Sequence, residues 1–213
     1  MKCLVIVAHP DDEAIWMGGT ILKHAAWEWH VLSLCRVDDA DRAPRFRRAA
    51  CALGVRAYIS DLDDSPVLVP LSADLHEIKE RIKLLVPRDF NLIFTHGENG
   101  EYTRHERHEQ VHRAVREMVE SGELTGELLC FAYEDCKGRY HPRPAADARI
   151  RVVLTPQEHM EKRRIVRDIY GFGAGSLEYE AAGPVEAFRV RRENRIKDIQ
   201  IVLGKTDASL EEE

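Results

Sequence analysis

The sequence predicts an α/β domain built on a mainly parallel sheet with helices on both faces. Three observations lead there. Short apolar runs alternate with amphipathic stretches through the first half, the first run is apolar at every position, and the stretches between carry helical periodicity. Residues 3–8 read as the first strand and a helix follows Glu13. Residues 31–35 are the second strand, with a helix from about Arg42, and 55–59 are the third. The third helix, around 75–85, shows its period plainly: Leu75, Ile78, Ile82 and Leu85 recur at three-to-four spacing, opposite Glu77, Lys79, Glu80 and Lys83. Those four apolar residues are core. Residues 92–94 form the fourth strand, and the Gly and Asn residues of 95–102 mark a loop. A helical run spans about His105 to Ser121, and 128–132 reads as another strand. Residues 137–148 are Pro-rich and irregular, a composition suited to a lid; 149–154 and 156–170 add a strand and a helix. The domain is expected over 1–203, with 204–213 an acidic, frayed tail.

A chain of 213 residues buries enough apolar surface to fold without crosslinks. Its 37 acidic and 31 basic side chains leave a net charge of −6, which argues against nucleic acid as a partner. The basic clusters at 45–48 and 189–195 read as solvated helix faces. No apolar stretch is long enough to span a bilayer, and the N-terminus lacks a signal-peptide pattern, so a cytoplasmic address is expected. The five cysteines are odd in number and form no C-x-x-C pair, and Cys3 and Cys35 fall in strands as small apolar residues. Reduced thiols are expected, and a metal site would draw on His and carboxylates.

The residues suited to chemistry lie in two clusters. His9-Pro10-Asp11-Asp12-Glu13 directly follows the first strand and precedes Gly18-Gly19, and ligand sites of open α/β sheets lie at the carboxyl ends of strands. A tight turn through Pro10 can aim His9 and Asp12 at one point, which leaves Asp11 to serve as a base. The competing reading is that Asp11 or Asp12 caps the helix. In the second cluster, His105, His108 and His112 fall at i, i+3 and i+7, on one helix face. They suit a ligand set or an ordinary polar face. His108-Glu109-Gln110-Val111-His112 also matches H-E-x-x-H, the zinc-peptidase signature, although its flanks are charged and it leaves residues 9–13 unexplained.

Together the two clusters resemble the PIG-L/LmbE family of metal-dependent N-deacetylases, which act largely on N-acetylglucosaminyl compounds and related amides. Ala8-His9-Pro10-Asp11-Asp12-Glu13 with Gly18-Gly19 repeats the family's opening motif. Gly100-Glu101-Tyr102, His105, His108 and then His112 to Val115 follow its second motif, with weaker likeness at 49–55 and Glu186-Ala187-Phe188. The resemblance implies a Rossmann-like domain that binds one zinc per chain on His9, Asp12 and His108. It also implies Asp11 as general base, His105 polarising the amide oxygen or protonating the leaving amine, and Glu13 in a structural role. Arg42 falls near a position where members offer an arginine to substrate. The implied substrate is a small N-acetylated amino sugar or conjugate. Thr103-Arg104 and Glu106-Arg107 depart from the family pattern, and the segment 36–42 lacks its usual glycines. The alternatives are the peptidase on His108 and His112, and a non-catalytic carbohydrate-binding relative. A magnesium-based transferase on Asp11 and Asp12 fits the imidazoles less well. A homo-oligomer is compatible with the sequence.

Overall fold

The apolar runs of the first half all pair within one sheet. The computed structural model describes residues 1–64, 71–102 and 105–204, so of the expected tail only Gly204 is included and 205–213 lie outside the described residues. In chain order the elements are β1 (Lys2–Val7), α1 (Asp12–Lys23), β2 (Glu28–Cys35), α2 (Arg42–Leu53), β3 (Arg56–Leu62), α3 (Leu71–Leu85) and β4 (Asp89–Thr95). There follow α4 (Glu106–Ser121), β5 (Thr125–Phe131), β6 (Tyr133–Glu134), β7 (Arg143–Pro144), β8 (Ile150–Val153), α5 (Pro156–Arg164), α6 (Leu177–Ala181), β9 (Val185–Val190) and α7 (Ile196–Leu203).

The sheet order is β3-β2-β1-β4-β5-β9-β8, with β1 to β5 parallel and β9 antiparallel to both of its neighbours. Successive β1 side chains enter opposite cores, as the period of two requires. Cys3, Val5 and Val7 pack with Trp16, Phe46 and Phe188, whereas Leu4, Ile6 and Ala8 pack with Ile78, Ile82, Val111 and Met118. This two-sided burial explains why β1 reads as a continuous apolar run. The Rossmann-like expectation holds for the parallel part. Among the described residues no helix is long and apolar enough to cross a membrane.

Topology creates the crevice. The chain leaves β1 toward β2 on one side, while β4 lies on the other side, so the connections after β1 and β4 diverge and open a switch point. The register from Cys3↔Leu92 to Ile6↔Thr95 brings the carboxyl ends of the two strands level.

The second half departs from the sequence reading. The helix expected over 156–170 is α5 followed by a π-helical turn, Ile165–Ile169. β9 has no counterpart in the sequence reading, because Glu186 interrupts its apolar pattern at a fully buried position. Glu186 accepts from the Gly19 and Thr20 amides at 2.8 and 2.6 Å and pairs with the equally buried Lys162 at 2.7 Å. The stretch 189–195 is helical only at its end: Arg189 lies on β9 and pairs with Asp147 and Arg191 pairs with Glu120, while 193–195 form a 3-10 turn leading into α7, where Arg195 pairs with Asp198. Within 137–148, Arg143–Pro144 pairs with Tyr133–Glu134 as a small antiparallel ladder.

Candidate metal centre

β1 gives way to α1 through a tight turn whose helix cap is Asp11. Its backbone sits at φ 125° and ψ −31°, where a residue with a Cβ is strained. The Asp11 carbonyl accepts from the Ala14 and Ile15 amides at 2.9 Å each, but its side chain makes no capping bond. The carboxylate instead turns outward, where Arg42 Nη1 donates to Oδ2 at 2.6 Å. Asp12 turns inward. Its Oδ1 accepts from the Trp16 indole at 3.0 Å, and its Oδ2 accepts from the His9 amide at 2.9 Å. The capping alternative therefore does not describe either carboxylate.

From the other side of the crevice, His105 caps α4 in an extended conformation and His108 follows within the first turn. His9 Nδ1 and His108 Nε2 are 3.2 Å apart, and they lie 3.4 and 3.5 Å from Asp12 Oδ2. Tetrahedral zinc with bonds of 2.0–2.1 Å requires ligand separations of about 3.3–3.4 Å. The opposite ring nitrogens decide what these atoms are. His9 Nε2–H donates to Asp64 Oδ1 at 2.8 Å, and His108 Nδ1–H donates to Glu101 Oε2 at 2.7 Å. The two remaining nitrogens both face the Asp12 carboxylate, an arrangement that calls for positive charge between them, as a proton on His9 or a metal cation in its place. A carboxylate behind each ring is the usual partner of a ligating histidine.

His96 lies close by but is committed elsewhere. The Ala8 amide donates to its Nε2 at 2.9 Å and its Nδ1–H donates to Glu101 at 3.0 Å, so it has no lone pair for a metal. It stacks on His108 at 3.8 Å between centroids and fixes that ring. Cys35 lies within ligand reach of His9 and Asp64, but burial pushes its thiol up to about 12. His112 Nδ1–H donates to the His96 carbonyl at 2.8 Å, and none of the three-residue ligand groups among the described residues includes it.

Electrostatics follow from burial and these contacts. Burial disfavours a charge on His9, yet hydrogen bonds and charges from Asp12 and Asp64 outweigh it and raise its pKa to about 10. Burial opposes ionisation of Glu101 as well, but His96 and His108 hold its carboxyl down at about 2. Asp11 is pushed upward by burial and by the charge of Asp12, with Arg42 opposing. His105 is lowered to about 4 by burial and by the charges of His108 and His9, and its Nδ1 is buried without a hydrogen-bond partner. His9, Asp11, Asp12, Arg42, Tyr102 and His105 line a cavity of about 150 Å³. This arrangement can hold a divalent cation, accept a proton at Asp11 and donate a hydrogen bond from a neutral imidazole at His105.

All six residues expected from the sequence thus converge. Sequence reasoning does not find Asp64, Glu101 and His96 as their supports. Glu101 stands in the second motif without a role attached to it, and the signal for Asp64 and His96 is positional, since each lies beyond the carboxyl end of a parallel strand.

A family model described as PIG-L, GlcNAc-PI de-N-acetylase, matches residues 4–119. No curated protein matches the chain in sequence. Similar solved structures include N,N'-diacetylchitobiose deacetylase from Pyrococcus horikoshii, with TM-score 0.62 and 19% identity over 89% of this chain and 83% of that one. A conserved protein from Thermus thermophilus gives 0.63 and 20% over 90% and 95%. The 4-carboxy-2-hydroxymuconate hydratase GalB from Pseudomonas putida gives 0.60 and 16% over 89% and 95%. At these identities the likeness is one of fold, and a fold shared by a deacetylase and a hydratase does not choose the reaction.

Proposed function

The chain belongs to the PIG-L family, and from that premise we propose that it is a zinc-dependent N-deacetylase acting on an N-acetylated amino sugar or a related amide. The observation that carries this reading is the convergence of two imidazole nitrogens and one carboxylate oxygen at 3.2 to 3.5 Å, at a cavity that Asp11 also lines. His9, Asp12 and His108 would hold one zinc per chain. When bound, zinc polarises the amide carbonyl and makes water a stronger acid.

The protein's own groups divide the remaining work. Asp11 takes the proton of the attacking water and passes it to the departing amine. Arg42 spends one of its five donors on Asp11, which keeps the carboxylate oriented, and offers others to a sugar hydroxyl. His105 has two conceivable roles, and its lowered pKa favours one: a neutral ring donates an N–H to the amide oxygen rather than a proton to the amine. The cavity is smaller than the roughly 300–1,000 Å³ pockets that enclose whole ligands, so it suits the N-acetyl end of a substrate. The peptidase reading draws no support, since none of the three-residue ligand groups among the described residues includes His112.

The test is metal analysis with an acetate-release screen over N-acetylated sugars and their conjugates. Asp11→Asn should keep its zinc and lose about two to four orders of magnitude in turnover. Asp12→Asn should lose zinc and activity together. Full activity in Asp11→Asn with loss in Glu109→Gln would transfer the role of base to the H-E-x-x-H segment.

A further inference from the structure

Asp11 is held at φ 125°, and its side chain makes no bond that caps the helix. Such strain persists only where the surroundings impose it. One group that holds it is Glu13, whose Oε2 accepts from the Asp11 amide at 3.1 Å. Glu13 is 1% exposed, and its other oxygen, Oε1, accepts from the Tyr170 hydroxyl at 2.5 Å. Tyr170 stands 157 residues away in sequence and is itself 3% exposed.

Its placement depends on an irregularity in the backbone. The Tyr170 amide donates to the Ile165 carbonyl at 3.2 Å, a bond to the fifth residue back that closes the π-helical turn 165–169. The extra residue in that turn changes the direction in which the next side chain leaves, and π turns concentrate at functional sites. Arg45 of α2 secures the turn by donating to the Ile169 and Tyr170 carbonyls at 3.3 and 2.7 Å. The chain then bends away at Gly171, with φ +87°, where an added Cβ would lie 2.5 Å from Arg45 Nη1. Because α2 also supplies Arg42 to the Asp11 carboxylate, the Asp11 backbone and side chain are held from two elements distant in sequence.

We infer that Tyr170 is a positioning residue for the general base, holding through Glu13 the strained turn that directs Asp11 into the cavity. This rests on the reading of Asp11 as base. Tyr170 is absent from the cavity lining and its hydroxyl bonds Glu13, so its effect on the reaction passes through Glu13 to the Asp11 turn. Asp12 has separate anchors in Trp16 and the His9 amide, so zinc binding should be spared.

The experiment is a double-mutant cycle on the zinc-loaded protein, with acetate release from N,N'-diacetylchitobiose or N-acetylglucosamine. Tyr170→Phe should retain zinc, leave KM within about twofold and lower kcat by roughly tenfold or more, the scale on which small misplacements act. Glu13→Gln, with one acceptor oxygen where the carboxylate has two, should reproduce the defect. In an Asp11→Asn background, Tyr170→Phe should cost less than about twofold, because the group it positions is gone. An equal loss in both backgrounds, or no loss in either, overturns the inference. A second arm needs no substrate. Asp11→Gly should melt about 3 °C above Asp11→Ala, because only glycine relieves the strain. Adding Tyr170→Phe should shrink that gap by half or more, and an undiminished gap overturns the inference. If the wild-type protein releases no acetate, the deacetylase reading fails and the melting comparison alone decides the role of Tyr170.

Discussion

His9 and His108 can each face a metal because their other ring nitrogens are already committed to Asp64 and Glu101. The carboxylates fix the tautomer and strengthen the ligand, and loss of such partners costs about 10–100-fold in metal affinity. Asp64→Asn and Glu101→Gln should therefore weaken zinc binding by that factor while leaving all three ligands in place, as competition with a chromogenic chelator would measure. Unchanged affinity would reduce both residues to packing. The raised pKa of His9 makes a second prediction, for protein stripped of metal. Asp12 and Asp64 keep the ring protonated up to about 10, so zinc must displace that proton. Apparent zinc affinity should rise about tenfold per pH unit between about pH 6 and about pH 8. Calorimetry in buffers of different ionisation enthalpy should record about one proton released per zinc, and none would mean His9 is neutral before binding. The sign for stability follows. Protonation of His9 favours the folded, stripped chain, a contribution whole below 6.5 and lost as pH rises through about 10.

At the scale of elements, α1 carries the metal turn at one end and is gripped in its middle. Gly19 admits Leu154 against the helix, where an added Cβ would lie 2.2 Å from a Leu154 methyl carbon. The Gly19 and Thr20 amides donate to Glu186, and the Tyr133 hydroxyl donates to the Trp16 carbonyl at 2.9 Å. Lys162 of α5 neutralises Glu186, with both side chains fully buried. Removing one partner of a buried pair strands the other, at a cost of about 3–5 kcal/mol. Lys162→Met should accordingly lower the thermal midpoint by about 10 °C. A midpoint moved by less than about 2 °C would show that Glu186 is carried by its backbone donors alone.

In the whole molecule the proposed ligands come from two distant pieces of chain, residues 9–12 before α1 and His108 in α4, on either side of the β1/β4 switch point. A cation that bridges them binds only the folded arrangement. At a free zinc concentration about a thousand times Kd the linkage is worth about 4 kcal/mol, which raises the midpoint by about 10 °C for a chain this size. Chelation should remove that rise, and His112→Ala should not, whereas its loss in His112→Ala would restore the peptidase assignment. Much of this design is legible in the residues. The apolar run of β1, the turn at His9 to Asp12, the period of Leu75, Ile78 and Ile82, and the spacing of His105 and His108 are local patterns, because burial on a strand or helix face repeats with the backbone. The family motifs add the ligand set. Asp64, Glu101, Tyr170 and the Lys162–Glu186 pair are decided by tertiary structure. A carboxylate or hydroxyl in a sequence has no period that names its partner, and Tyr170 meets Glu13, 157 residues away, across a π turn that changes the direction in which its side chain leaves. For the same reason β9 is hidden in the sequence: its buried Glu186 makes sense only once Lys162 and the middle of α1 stand against it.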